Sequence, residues 1–216
     1  MLRLDENRLL GALDELAQIG AIDGGGCARL ALSDDDKAGR DLVVGWMKAL
    51  GLEVRIDAIG NVVGLRAGRE NLAPVMTGSH IDTVRTGGRY DGNYGVLAGL
   101  EVVRALNEAR ITTRRPIAVA FFTNEEGARF QPDMLGSLVY AGGLGLNEAY
   151  APSTRKAPRS AMSCAASAIL ARRDPARSGR TPSSSCISSR ARSSTRRRSG
   201  SASWKACRAS RGPSIR

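Results

Sequence analysis

The chain has 216 residues, 42% of them hydrophobic, which suffices for one domain with a buried core. No run of about 18 apolar residues occurs, which excludes a membrane-spanning helix, and the start, MLRLDENRLL, has acids and no apolar stretch and so does not read as a secretory leader. The expected compartment is the cytoplasm. The formal charge of +11 points toward an anionic partner, but its distribution does not: residues 1–151 hold 16 Lys and Arg against 20 Asp and Glu, net −4, while residues 152–216 hold 16 against the single acid Asp174, net +15.

Leu9, Leu10, Leu13 and Leu16 lie at helical spacing and predict a helix within Leu2 to Ile19. Ser33 followed by Asp34, Asp35 and Asp36 is a helix start, with acids favourable at that end, and the helix should run to about Leu50 and stop at Gly51. Leu52–Ile56 and Asn61–Leu65 are strand candidates around a turn at Ile59–Gly60. Pro74–Thr77 reads as a buried strand that ends in Gly78, Ser79 and His80. A helix is expected over Tyr94 to Ala109. Ile117 to Thr123 is a continuous apolar run, the pattern of a strand covered on both faces, and it ends at Asn124, Glu125 and Glu126. Strands alternating with helices predict a layered α/β domain over residues 1–151.

After Ala151 the pattern stops. Residues 152–216 are rich in Arg, Ser, Ala and Pro, contain one aromatic residue, Trp204, and show no sustained periodicity. The plain reading is a disordered basic tail, and a non-enzymatic α/β module with a nucleic-acid-binding arm is the functional alternative it supports. Cys27 stands alone in the first part. Cys164, Cys186 and Cys207 show neither the spacing of a zinc knuckle nor that of a disulfide framework.

Three clusters carry chemistry: GSHIDTV at 78–84, GGRYDG at 87–92 and TNEEGARF at 123–130. Each sets metal-capable side chains at or just past a strand end, where sites gather in open α/β sheets. His80 is the only histidine of the chain. A lone histidine is commonly structural, but this one follows a strand and stands two residues from Asp82, which could orient its ring. Asp91 before Gly92 also fits an ordinary turn. Glu125 and Glu126, adjacent after FFT, are harder to explain as solvated acids, because a desolvated carboxylate needs a partner and a metal supplies one. One such carboxylate can bind a cation while its neighbour takes a proton from water. His, Asp and Glu donors suit zinc, manganese or cobalt.

In this order and spacing the three clusters resemble the M20 metallopeptidase superfamily, in its branch of N-carbamoyl-L-amino-acid hydrolases, allantoate amidohydrolases and β-ureidopropionases. Met134–Ser137 and Arg29–Ser33 are similar to the same branch, so the resemblance spans essentially all of residues 1–151. It implies a partial zinc-peptidase-like catalytic domain with a central mixed sheet flanked by helices. It implies two divalent metal ions (zinc, or manganese, cobalt or nickel), with His80 as a ligand of one, Asp91 as the bridging carboxylate and Glu126 as a further ligand. Glu125 would be the general base, and Asp82 would support catalysis from behind the ligands. The implied substrate is a small ureido or carbamoyl compound whose C–N bond is hydrolysed, with neither nucleic acid nor membrane as partner. An aminoacylase or peptidase of the same superfamily is the alternative. The family is commonly homodimeric through an inserted domain that this chain lacks.

The family also uses two further histidines, one in a motif of the type ELHIEQGP, which this chain does not contain. The tail offers a reason. Residues 184–193 can be written TCG AGC TGC ATA TCG AGC AGG GCC CGA TCC, and a reading frame that begins at the third base gives ELHIEQGPI. At Trp204–Lys205 the shifted codon is forced to be glutamate, and the stretch through Ala209 permits LDAETIGIGVVEGVQGI. Residues 152–216 are therefore expected to be a frameshift product that does not fold, and the chain as written is expected to be a truncated, inactive hydrolase.

Overall fold

The computed structural model describes residues 2–151. Asp5 starts the first helix, α1 (Glu6–Ala17), by accepting a hydrogen bond from the Arg8 backbone N–H, so the helix begins later than its apolar spacing alone predicts. A short hairpin of β1 (Ala21–Ile22) and β2 (Gly26–Cys27), absent from the sequence reading, leads to α2 (Asp34–Ala49). Ser33 caps α2 at the Asp36 N–H as expected, but Asp36 is not a solvated helix-start acid. It is fully buried and paired with Arg40, one turn on, at 2.7 Å.

The main sheet has the order β3 (Glu53–Ile56), β4 (Val62–Arg66), β6 (Ile117–Phe122), β5 (Val75–His80). The β3–β4 and β4–β6 pairs are antiparallel and β5–β6 is parallel, so the sheet is mixed. Parallel neighbours need a crossover, and α3 (Asn93–Glu108) supplies it between β5 and β6. Strand β6 is buried as its apolar run predicts. Val119 and Phe121 face one way, into a core shared with Leu13 and Leu16 of α1, Val43 and Met47 of α2, and Val96, Leu100 and Val103 of α3. By the two-residue period of a strand, Ala118, Ala120 and Phe122 face the other way, where Phe122 meets Tyr140 of α4 (Leu135–Tyr140) edge to face at 5.4 Å. A second apolar cluster joins Ile59, Phe130, Leu135 and Ala149, the last from α5 (Leu146–Ala149).

Strand β5 departs from expectation. It reads as buried, yet Val75 is 59% exposed and residues 75–78 are open to solvent. Among the described residues β5 pairs only with β6 and forms the sheet edge, so its apolar side chains lack cover. Its approach to β6 is close: a Cβ on Gly78 (φ 153°) would lie 1.9 Å from the Ala120 carbonyl oxygen, so only glycine lets GSH run beside β6 here. No helix among the described residues is long and apolar enough to cross a membrane.

Candidate functional site

Parallel pairing of β5 with β6 puts His80 opposite Phe122 and brings both strands' carboxyl ends together. Past β5 the chain runs through Ile81 and Asp82, and past β6 through Thr123, Asn124, Glu125 and Glu126. The loop between β5 and α3 returns Asp91 to the same place. The structure thus gathers His80 with Glu125, at 3.4 Å from Nε2 to Oε2, and with Asp91, at 3.9 Å from Nε2 to Oδ1.

The His80 ring is buried, and its Nδ1 lies 2.9 Å from the backbone carbonyl oxygen of Asp82. A carbonyl can only accept, so Nδ1 carries the proton and donates. In the neutral ring Nε2 then holds a lone pair, and it faces two carboxylates that can also only accept when ionised. Acceptor facing acceptor is satisfied by a cation or by an added proton. Gly92 lies against the ring: a Cβ there would sit 2.4–2.5 Å from its Cε1, Nδ1 and Nε2, and the residue has φ 66°. Glycine is required at this contact for both reasons.

The Asp82 side chain does not orient the imidazole; its backbone carbonyl does. Its buried carboxylate instead accepts the backbone N–H of Glu125 at 3.3 Å and of Glu126 at 3.4 Å. It thereby ties the turn after β6 to the segment after β5. Burial, with Asp36 nearby, pushes the Asp82 carboxyl up to about 6, against the lowering effect of His80. Burial also raises the Glu126 carboxyl, opposed by His80 and reinforced by Asp91 and Glu125.

A buried polar layer behind the site was not read from the sequence. Arg40 donates to Asp36, to the Gly60 carbonyl at 2.7 Å and to Thr123 Oγ1 at 3.3 Å. Asn61 accepts from the Thr123 N–H at 2.9 Å and donates to the Gly136 carbonyl at 2.9 Å. Asn124, at φ 56°, donates to the Phe130 and Pro132 carbonyls and accepts from the Phe130 N–H. That left-handed residue turns the chain so that Glu125 and Glu126 follow β6 directly. Asparagine tolerates this conformation better than most residues, which is the one sequence signal that could have marked it.

Among the described residues, no three His, Cys, Asp or Glu side chains converge closely enough to hold a metal ion. The donors present still fit one in kind. One imidazole nitrogen, His80 Nε2, has two carboxylates within 4 Å, and each of the three clusters contributes one of these groups.

The model of peptidase family M20/M25/M40 matches residues 76–169. Over 150 residues the chain is 46% identical to an N-carbamoyl-L-amino-acid amidohydrolase of Rhizobium meliloti, covering 69% of this chain and 36% of that protein. It is 39% identical over 140 residues to a ureidoglycolate hydrolase of Oryza sativa, covering 64% of this chain and 29% of that protein. A solved hydantoinase/carbamoylase family amidase from Burkholderia ambifaria superposes with TM-score 0.75 at 48% identity, over 79% of this chain and 42% of that one. The chain thus spans roughly a third of the length of these curated relatives.

Proposed function

Starting from a chain that belongs to peptidase family M20/M25/M40, we propose that residues 1–151 are part of the catalytic domain of a hydrolase that cleaves the C–N bond of a small carbamoyl or ureido compound. The names of the relatives support this substrate class. The observation that carries the reading is the convergence of His80 Nε2 on Glu125 Oε2 at 3.4 Å and Asp91 Oδ1 at 3.9 Å, with Nδ1 turned onto the Asp82 carbonyl.

In this reading His80, Asp91 and Glu126 hold divalent ions, two when the site is whole. Such ions, when bound, polarise a carbonyl and lower the pKa of water. Glu125 is the general base: its side chain is 34% exposed, open enough to meet water and close enough to His80 to share its site. Asp82 acts from behind, holding the Glu125 and Glu126 backbone with its carboxylate and the His80 ring with its carbonyl.

The tail reading belongs to the same proposal. Residues 152–216 are the product of a one-base shift, and the intended frame encodes the missing histidine motif. Resequencing the coding DNA from the Asn147 codon onward should find one base absent relative to the source genome. The restored protein should then hydrolyse N-carbamoyl amino acids, ureidoglycolate or allantoate, and the 216-residue chain should not. Hydrolysis by the 216-residue chain would overturn the inactive-fragment reading. Cleavage of dipeptides or N-acyl amino acids by the restored protein, with carbamoyl compounds untouched, would turn the assignment toward a peptidase or aminoacylase.

A further inference from the structure

We propose that Arg29 is a positioning residue for this site: its guanidinium joins the residue after His80 to the residue after Gly92 and so sets the gap between His80 and Asp91. The proposal deepens the metal-site reading above, but its geometric half stands without a metal.

Arg29 is fully buried, where an arginine ordinarily meets a carboxylate. Here every partner is neutral. Nε donates to the Ile81 carbonyl at 2.8 Å, and Nη2 donates to Asn93 Oδ1 at 3.0 Å. Nη1 donates to the carbonyls of Leu16 at 3.0 Å and Ile19 at 2.7 Å and reaches Cys27 Sγ at 3.3 Å. Its own backbone takes part: Arg29 N–H donates to Thr83 Oγ1 at 2.7 Å, and Thr83 N–H returns to the Arg29 carbonyl at 2.9 Å. The fold makes room for this side chain. A Cβ on Gly39, in the interior of α2, would lie 2.8 Å from Arg29 Cδ, so a helix-weakening glycine sits where the arginine passes.

Two of these partners are neighbours of the reacting groups. Ile81 follows His80. Asn93 follows Gly92, whose backbone lies on the His80 ring, and Asn93 also controls the turn that carries Asp91. Its N–H donates to the Asp91 carbonyl at 2.6 Å, and its side-chain amide donates to the Arg89 carbonyl at 3.0 Å. One rigid, planar fork therefore spans from the end of β5 to the start of α3. Lysine, with a single point of donation, does not bridge the two.

The test uses the full 216-residue chain and the fact that His80 is its only histidine, so one set of imidazole NMR signals reports on the site. Asn93→Ala removes both the oxygen that Arg29 grips and the amide that holds the Arg89 carbonyl. Asn93→Asp keeps the oxygen and loses only that amide, so the difference between the two isolates the Arg29 contact, and Arg29→Lys removes the fork. In the wild type and Asn93→Asp, the nuclear Overhauser contact between the His80 ring and the Gly92 Hα should be present, and Co2+ affinity should be similar. In Asn93→Ala and Arg29→Lys, with amide dispersion retained, the contact should vanish and Co2+ affinity should fall about 10–100-fold, the usual effect of removing the support of a metal ligand. Should Arg29→Lys not fold, the two Asn93 variants decide. Asn93→Ala with an intact His80–Gly92 contact and unchanged Co2+ affinity overturns the proposal. A wild-type chain that binds no Co2+ overturns the metal reading instead, and the contact alone then judges the role of Arg29.

Discussion

Behind the carboxyl ends of β5 and β6, Arg29, Arg40, Asn61, Asn124 and Asp82 are buried and spend their hydrogen bonds on backbone groups of the loops that carry the site. In front, His80 Nε2 meets Glu125 and Asp91, and Asp91 is 72% exposed. The two layers differ in how fully their polar atoms are answered, and the difference divides the labour. The rear layer fixes where backbone goes. The front layer keeps lone pairs unspent, which is what a site must do if a cation or substrate is to use them.

The largest break in this contrast should come from the rear. Arg40→Met leaves Asp36 buried without its cation, and Asp36 Oδ1 already has no hydrogen-bond partner among the described residues. We expect a loss of about 3–5 kcal/mol in urea unfolding of the full chain, and a loss below about 1 kcal/mol would contradict the role given to the pair. Next is the seam between the layers. Gly92→Ala adds a Cβ 2.4 Å from the His80 ring at a positive φ, so it should cost about 2–3 kcal/mol and shift the His80 imidazole signals. Asn124→Ala strands the Phe130 and Pro132 carbonyls and should cost about 1–2 kcal/mol while loosening Glu125 and Glu126.

Much of this was legible in the sequence. The apolar run of β6, the spacing of α1 to α3 and the Ser33 cap follow from local rules, as do the three clusters at strand ends. What escaped has a common cause. Asp36 reads as one acid of three at a helix start, and only the tertiary fold turns it inward onto Arg40, beside the site. Arg29 and Asn93 look like ordinary polar residues because their partners, Ile81 and each other, are 52 and 64 residues away. Strand β5 reads as buried from its apolar content, but burial depends on a neighbour that its own residues do not specify. The Asp82 carboxylate was expected to steer His80 and instead holds the backbone of Glu125 and Glu126, a contact across 43 and 44 residues.

The gentlest probe of the contrast is pH. The Asp82 carboxyl sits at about 6 in the fold, above its ordinary 3.8, so the folded state holds this proton more tightly than the unfolded chain does. Its contribution to stability is full below about pH 4 and is lost as pH rises through about 6. Asp82→Asn, which does not titrate, should lack this part of the pH slope, and its urea midpoint should gain on the wild type between pH 4 and 7. Parallel profiles over that range would show that Asp82 keeps an ordinary carboxyl in the fold.

The measurement closest to the central claim is 15N NMR of His80 in the 216-residue chain during a Zn2+ titration. On binding, Nε2 should shift while Nδ1 stays protonated against the Asp82 carbonyl, and Asp91→Asn should weaken the response. An Nε2 signal that does not move at saturating Zn2+ would contradict that claim.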